Sequence, residues 1–299
     1  MIILLAGCAT PQVSALRTQV PPGLALRTEL AAVPFFPQRE YQCGPAALAT
    51  VLTHGGIATT PEALVPQVYL PGREGSLQAE MLAATRRHGR IAYRLAPRLD
   101  NVLLEVAAGN PVVVLQNLAF AFAPLWHYAV VVGYDREREE VVLRSGTTRR
   151  LTMTLSTFER TWARGGHWAM VALLPQQLPE TAVEADYVAA AAALERVTAA
   201  AARQAYAAAL ARWPANFAAR IGTGNAAYAL GDLTAAEAAY RRATLDHPQV
   251  GDAWNNLAQV QFELGRKNEA LIAAQRAVAL GGPRIAHYRT TLETITASP

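Results

Sequence analysis

One cysteine of the chain is placed where its thiol can act as a nucleophile. Cys43 follows Gln38-Arg39-Glu40-Tyr41-Gln42 and precedes Gly44-Pro45-Ala46. The apolar residues after it have helical spacing, Pro45 suits a first helical turn, and Gly55-Gly56 ends the run. Because a helix N-terminus favours a thiolate, we expect the pKa of Cys43 to be lowered. A buried structural cysteine is the alternative.

One histidine suits a general base. His127 begins the apolar run His127-Tyr128-Ala129-Val130-Val131-Val132-Gly133-Tyr134-Asp135, which is typical of a strand. A histidine there is held rigidly and close enough to solvent to titrate. A cysteine that precedes a histidine by many tens of residues is the order that cysteine peptidases of the papain kind require. His167 is the rival base, but packing is its expected role.

Gln38 is a candidate for stabilising negative charge on a reacting carbonyl oxygen. It lies five residues before Cys43. Its side-chain amide can donate a hydrogen bond to that oxygen together with the backbone N–H of Cys43, which would form an oxyanion hole.

These segments together resemble the bacteriocin-processing, double-glycine leader peptidase family. The resemblance covers about Val33 to Leu174 and depends on the Gln38…Cys43-Gly44-Pro45-Ala46 and His127-Tyr128…Gly133-Tyr134-Asp135 blocks. It implies a papain-like domain in which Cys43 is the nucleophile, His127 the general base and Gln38 the oxyanion donor. The implied substrate is a peptide or protein.

The chain departs from this family at the residue that orients the histidine. The family has an aspartate followed by proline some fifteen to twenty residues after the histidine, where this chain has Leu143-Arg144-Ser145-Gly146. Ser145 can accept a hydrogen bond from His127 but supplies no negative charge for an imidazolium. Three hypotheses stay open: a dyad helped by Ser145, another third residue such as Asn117, or a domain that binds peptide and cleaves slowly or not at all. Asp135 is expected to belong to a turn.

The elements that position these residues predict an α+β papain-like domain over residues 29–178. Helical patterns precede Gly109-Asn110-Pro111, and strand patterns that suit an antiparallel sheet follow it. The composition changes at Pro175-Gln176-Gln177-Leu178-Pro179, after which alanine dominates and strand patterns disappear. This change places the domain boundary.

Residues 179–299 are predicted to form an all-α repeat domain. Equivalent residues recur 34 positions apart, such as Gly231 with Gly265 and Ala236 with Ala270. The period resembles the tetratricopeptide repeat, and Ile285–Ile295 suits a capping helix. Such repeats form a concave face that binds a protein partner, so recruitment of a partner is expected. A helical extension that only stabilises or oligomerises the chain is the alternative.

The first residues resemble a bacterial lipoprotein signal. Leu5-Ala6-Gly7-Cys8 matches the lipobox, which implies a lipid on the Cys8 thiol, a tether up to residue 28 and a periplasmic, outer-membrane location. Five apolar residues after Met1 are too few for a complete signal, so we expect a start codon further upstream. Membrane contact is expected through lipid only, because no segment has the length of a spanning helix. A buried N-terminus in a cytosolic protein is the alternative.

Composition argues against several other functions. The net charge is +4, and no stretch gathers the basic residues that a nucleic-acid surface needs. No histidine pair has zinc-site spacing and no phosphate-binding glycine loop occurs, so no cofactor is predicted. The sequence therefore predicts a cysteine peptidase whose repeats recruit substrate or partner. The alternative is a weak or inactive papain-like domain in a peptide-binding or protein-binding lipoprotein.

Overall fold

The computed structural model describes residues 10–38 and 41–298, which form two compact units. The first unit comprises the described residues up to Leu174 together with Leu178–Asp186. The second comprises Pro175–Gln177 and the chain from Tyr187 onward. The first unit is α+β and the second is helical, so the predicted fold class is confirmed. The domain limits of 29–178 and 179–299 stay predictions.

The first unit combines short helices with mostly short strands. Its helices are α1 (Pro11–Thr18), α2 (Cys43–His54), α3 (Pro61–Val68), α4 (Gln78–Arg87), α5 (Leu99–Ala107) and α6 (Leu155–Arg164). Its strands are β1 (Arg27–Glu29), β2 (Tyr69–Leu70), β3 (Gly75–Ser76), β4 (Ile91–Arg94), β5 (Val112–Asn117), β6 (Trp126–Asp135), β7 (Glu140–Ser145), β8 (Thr148–Thr154) and β9 (Ala169–Leu173).

An antiparallel sheet forms the centre of this unit. Its order is β4-β9-β5-β6-β7-β8, and β1 also pairs with β6. Every residue of β5 is buried, which explains its nearly continuous apolar sequence. β6 is the longest strand, and its register places His127 opposite Gln116 of β5.

Helix α2 packs its apolar residues on this sheet. Leu48, Val51 and Leu52 are buried in one cluster with Val113 and Val130 of the central strands. Small residues at positions 46, 47 and 49 are also buried and let the helix approach the sheet closely. The N-terminus of α2, where Cys43 lies, is thereby fixed beside the sheet.

The segment expected to be a tether contains a docked helix instead. In α1, Val13 and Leu16 are buried, and both carboxylate oxygens of Glu159 accept hydrogen bonds from the N–H groups of Gln12 and Val13 at 2.9 and 2.8 Å. An eight-residue helix is marginal in water by itself. Its formation here therefore depends on these contacts with α6.

The second unit consists of consecutive helices with the turns that the repeat period predicts. They are α7 (Glu184–Glu195), α8 (Ala199–Arg212), α9 (Phe217–Ala229), α10 (Leu233–Asp246), α11 (Gly251–Glu263), α12 (Lys267–Leu280) and α13 (Ile285–Ala297). Gly231 and Gly265 have φ of 76° and 77° between paired helices, a conformation that favours glycine. Gly224 lies so close to the Tyr240 ring that a Cβ there would overlap it.

Candidate active site

Cys43 is the first residue of α2 and is a partly buried free thiol. Burial raises the pKa of Cys43, while the backbone N–H groups of Tyr128, Gly44 and Cys43 act in the opposite direction. The net shift is upward, so the expectation of a lowered pKa is wrong. The helix N-terminus does supply N–H groups to the sulfur, but packing against the apolar cluster outweighs them.

His127, at the start of β6, is oriented by Ser145 at the end of β7. The His127 Nε2 atom lies 2.8 Å from the Ser145 Oγ atom, and Ser145 is 8% exposed. Burial lowers the pKa of His127 because the protonated ring loses hydration. No carboxylate contributes to this shift, in keeping with the serine that occupies the expected aspartate position.

The backbone of Tyr128, in β6, contacts both Cys43 and Gln38. Its N–H faces the Cys43 sulfur, and its carbonyl accepts a 3.1 Å hydrogen bond from Gln38 Nε2. Among the described residues, no hydrogen bond joins the Cys43 sulfur directly to the His127 ring. Cys43 and His127, the candidate nucleophile and base, are therefore linked through the peptide group between His127 and Tyr128. Catalytic hydrogen bonds commonly tighten only when substrate binds.

Gln38 is positioned by backbone as well as by its side chain. Its N–H donates to the carbonyl of Gly146 at 2.9 Å, directly after Ser145. The amide group thus lies beside both β6 and the end of β7. One of its two N–H groups donates to Tyr128, which leaves a second N–H for an oxyanion.

Ser76 is a neighbour of the nucleophile that the sequence pattern does not reveal. A Cβ on Gly44 would overlap the Ser76 side chain, and Ser76 Oγ is buried without a hydrogen-bond partner. The Tyr128 hydroxyl donates to the Ser76 carbonyl at 3.3 Å. Glycine directly after a candidate nucleophile was the one sequence signal of this close approach.

Three alternative residues have other roles. The Asn117 side chain accepts hydrogen bonds from the N–H groups of Ala119 and Leu125, so its amide holds the following loop rather than the His127 ring. Asp135 accepts from two backbone N–H groups of its own turn, as expected. The His167 ring packs edge-on to Trp162, with ring centroids 4.8 Å apart.

One predicted site residue has no structural description. Cys8, the predicted lipid attachment site, lies outside the described residues. No helix in the described ranges has the length and apolar character needed to cross a membrane. Within the same ranges, no group of three or more potential metal-ligating side chains occurs.

In the first unit, a helix that begins at a free cysteine packs on an antiparallel sheet that carries a histidine beside a serine, an arrangement in keeping with a cysteine-peptidase-like fold. Residues 30–170 match the Peptidase_C39 like family. Residues 199–246 and 223–284 match the tetratricopeptide repeat. The chain therefore carries a C39-peptidase-like domain followed by tetratricopeptide repeats.

Two solved structures are similar to about half of the chain. One is described as a C39-like peptidase from Bacillus anthracis, with 21% identity, a TM-score of 0.41, and coverage of 49% of this chain and 97% of that chain. The other is a double glycine motif protease from an AMS/PCAT transporter in complex with the leader peptide. It has 19% identity, a TM-score of 0.36 and coverage of 48% and 91%. A search of curated proteins gives no match.

Proposed function

We propose that the first unit is a cysteine peptidase that cleaves a peptide or protein through Cys43, with His127 as the base. The observation that supports this most is the arrangement around Tyr128, which joins the Cys43 sulfur and the Gln38 amide one residue from His127. A related amidase or acyl-transfer reaction would use the same residues.

In the proposed reaction, His127 removes the proton of the Cys43 thiol as the sulfur attacks the substrate carbonyl. The raised pKa of Cys43 and the lowered pKa of His127 both favour this neutral starting pair over a preformed thiolate and imidazolium. The oxygen of the tetrahedral intermediate accepts hydrogen bonds from the Cys43 N–H and the free N–H of Gln38.

The intermediate then collapses to an acyl-thioester. The C–N bond breaks, and the imidazolium of His127 gives its proton to the departing amine. Water, deprotonated by His127, attacks the thioester carbonyl and releases the acid and the free thiol. Ser145 keeps the imidazole ring in position throughout, through its contact with Nε2.

The decisive experiment measures covalent labelling by an electrophilic peptide probe and turnover of a peptide library, in the parent chain and in its variants. Cys43→Ala is expected to lose both, and His127→Ala is expected to lose turnover by about 100-fold or more. His167→Ala is the matched histidine control and is expected to stay within a few-fold of the parent. Parent-like turnover in Cys43→Ala or His127→Ala would refute the proposal.

A non-cleaving peptide-binding domain is the second candidate. It is supported by the absence of a charge at Ser145, by the raised pKa of Cys43 and by the lowered pKa of His127. Together these features weaken activation of the thiol as a nucleophile. Peptides bound by the intact chain and recovered uncut after prolonged incubation would favour this function.

We further propose that the repeats recruit a protein, either the substrate or a separate partner. Stacked repeats of this kind offer an extended concave surface suited to that role. The chain is proposed to act on the periplasmic side of a bacterial membrane, held by a lipid on Cys8. Support for this location comes from the lipobox-like residues 5–8.

A further inference from the structure

The hairpin between β5 and β6 presents a contiguous apolar surface, which we call the apolar loop. It comprises residues 118–126, Leu-Ala-Phe-Ala-Phe-Ala-Pro-Leu-Trp, with no charged side chain. Phe120 is 68% exposed and Phe122 is 86% exposed, and Leu125 and Trp126 are each more than half exposed. Exposed apolar surface of this extent commonly marks a protein or membrane interaction site.

The apolar loop is held in shape by polar contacts at its base. Asn117 accepts hydrogen bonds from the N–H groups of Ala119 and Leu125, and it donates to the Phe120 carbonyl. Arg164, at the end of α6, donates to the Asn117 carbonyl at 2.9 Å. The Phe120 and Phe122 rings stack with centroids 5.3 Å apart. The apolar side chains therefore project from a fixed base.

The beginning of the described chain lies at the same end of the sheet as this loop. Glu159 binds the first turn of α1, and Arg164 binds the loop base, so the two contacts lie five residues apart on α6. At the α-helical rise, this separation is about 7.5 Å along the axis. The first turn of α1 therefore lies toward the end of the sheet that carries the apolar loop.

A second contact gives the same placement. The side chain of Gln12 accepts a hydrogen bond from the N–H of Leu99, the first residue of α5. Because a short turn joins the end of α5 to the start of β5, the start of α5 lies toward the far end of β5, which is Asn117. The contacts with α5 and with α6 thus both place the start of α1 toward the end of the sheet that carries the apolar loop.

We propose that the apolar loop inserts into the surface of a lipid bilayer. An uncharged loop without side-chain hydrogen-bonding groups at its tip suits lipid better than an oriented protein contact. Phenylalanine and leucine favour the acyl boundary, and a tryptophan at the loop base suits the membrane interface. This membrane contact is separate from the proposed lipid anchor, with which it shares only the location at a membrane. It requires neither a lipid on Cys8 nor catalysis by Cys43.

The apolar loop adjoins the candidate active site. Trp126 lies directly before His127, so insertion of the apolar loop holds the candidate active site at the bilayer surface. Substrates would be peptides presented at the membrane rather than peptides diffusing freely in solution.

Vesicle binding of the full chain tests the proposal. The chain carries Cys8→Ser so that no lipid is attached, and it is sedimented with vesicles of phosphatidylethanolamine and phosphatidylglycerol. Phe120→Ser/Phe122→Ser is expected to weaken binding at least about ten-fold. Leu245→Ser/Ile272→Ser, which alters exposed apolar residues of the second unit, is the matched control and is expected to bind like the parent.

The remaining outcomes separate this proposal from the proposed peptidase activity. Adding Cys43→Ala is expected to leave vesicle binding unchanged, whatever its effect on turnover. Absence of vesicle binding by the parent would overturn the proposal. Full binding by the phenylalanine variant would also overturn it, because the membrane contact would then not depend on the apolar loop. Loss of soluble-peptide labelling by that variant, with vesicle binding intact, would assign the apolar loop to substrate instead.

Discussion

At the scale of single residues, activation of the thiol depends on burial more than on the helix N-terminus. Cys43 receives N–H groups at the start of α2, yet its packing against the apolar cluster raises its pKa. Burial also lowers the pKa of His127, which disfavours the charged form of its ring. A neutral thiol beside a neutral imidazole has to transfer its proton during attack, so the reaction is expected to be slower than in a site with a preformed ion pair.

The pH dependence of Cys43 alkylation follows from this state. Because only the thiolate reacts, and its pKa is raised, the alkylation rate by iodoacetamide is expected to keep rising above pH 8.5. The rate is measured between pH 5 and pH 10 in a chain carrying Cys8→Ser. An ion pair would instead give a high, constant rate from about pH 6 upward, and that profile would contradict the expectation.

Ser145→Asp is expected to increase activity. A carboxylate in the place of the Ser145 hydroxyl, which lies 2.8 Å from His127 Nε2, would stabilise the imidazolium and raise the pKa of His127. Peptide turnover is expected to rise about ten-fold, and nuclear magnetic resonance titration of His127 reports the pKa directly. Ser145→Ala is the size-matched control and is expected to lower turnover. Equal turnover in all three chains would show that Ser145 does not act on the base.

The sequence identifies the reactive side chains better than it identifies their surroundings. Cys43, His127 and Gln38 can be selected by residue type and order along the chain, although their catalytic roles stay predictions. The direction of the Cys43 pKa shift and the contact with Ser76 depend on distant segments that meet only after folding. Local propensity contains no information about such contacts.

At the scale of elements, segments with a clear apolar pattern form the elements that the pattern predicts, and segments with a mixed pattern do not reveal theirs. Helix α2 and the buried strands β5 and β6 occur where apolar spacing predicts them. The tether expectation for residues 11–18 rests on the lipobox resemblance and on a polar, proline-marked composition, although Pro11 at the helix start and apolar Val13 and Leu16 indicate a helix. The contacts of Glu159 decide its conformation.

Removing those contacts is expected to release α1. Glu159→Ala leaves two N–H groups at the helix start without their acceptor, so the free energy of unfolding is expected to fall by about 1–3 kcal/mol. Urea denaturation measures the change, and hydrogen exchange over residues 11–18 localises it. Glu180→Ala, at an exposed position, is the control and is expected to change stability by less than about 0.5 kcal/mol. Unchanged protection of α1 in Glu159→Ala would contradict this role.

At the scale of the whole molecule, a C39-peptidase-like domain and tetratricopeptide repeats are combined in one chain. A change in composition predicts this combination, because an antiparallel sheet and stacked helical repeats use different residues. The proposed subcellular location rests on the lipobox-like residues around Cys8 and follows from neither fold.

Metabolic labelling with a palmitate analogue tests the proposed anchor. The chain expressed in bacterial cells is expected to incorporate the label and to fractionate with membranes, and Cys8→Ser is expected to abolish incorporation. Cys43→Ser is the matched cysteine control and is expected to be labelled like the parent. Incorporation that survives Cys8→Ser would refute lipidation at this residue.

The contacts that Tyr128 makes with Cys43 and Gln38 come from its backbone and not from its side chain. Its N–H faces the nucleophile and its carbonyl accepts from Gln38, and both contacts survive any change of the side chain that preserves β6. Substitution at position 128 can therefore change the contacts with Ser76 and Trp168 while the backbone contacts of Cys43 and Gln38 remain. In laboratory evolution of the proposed peptidase, position 128 is thus a place where the surroundings of Cys43 can be varied.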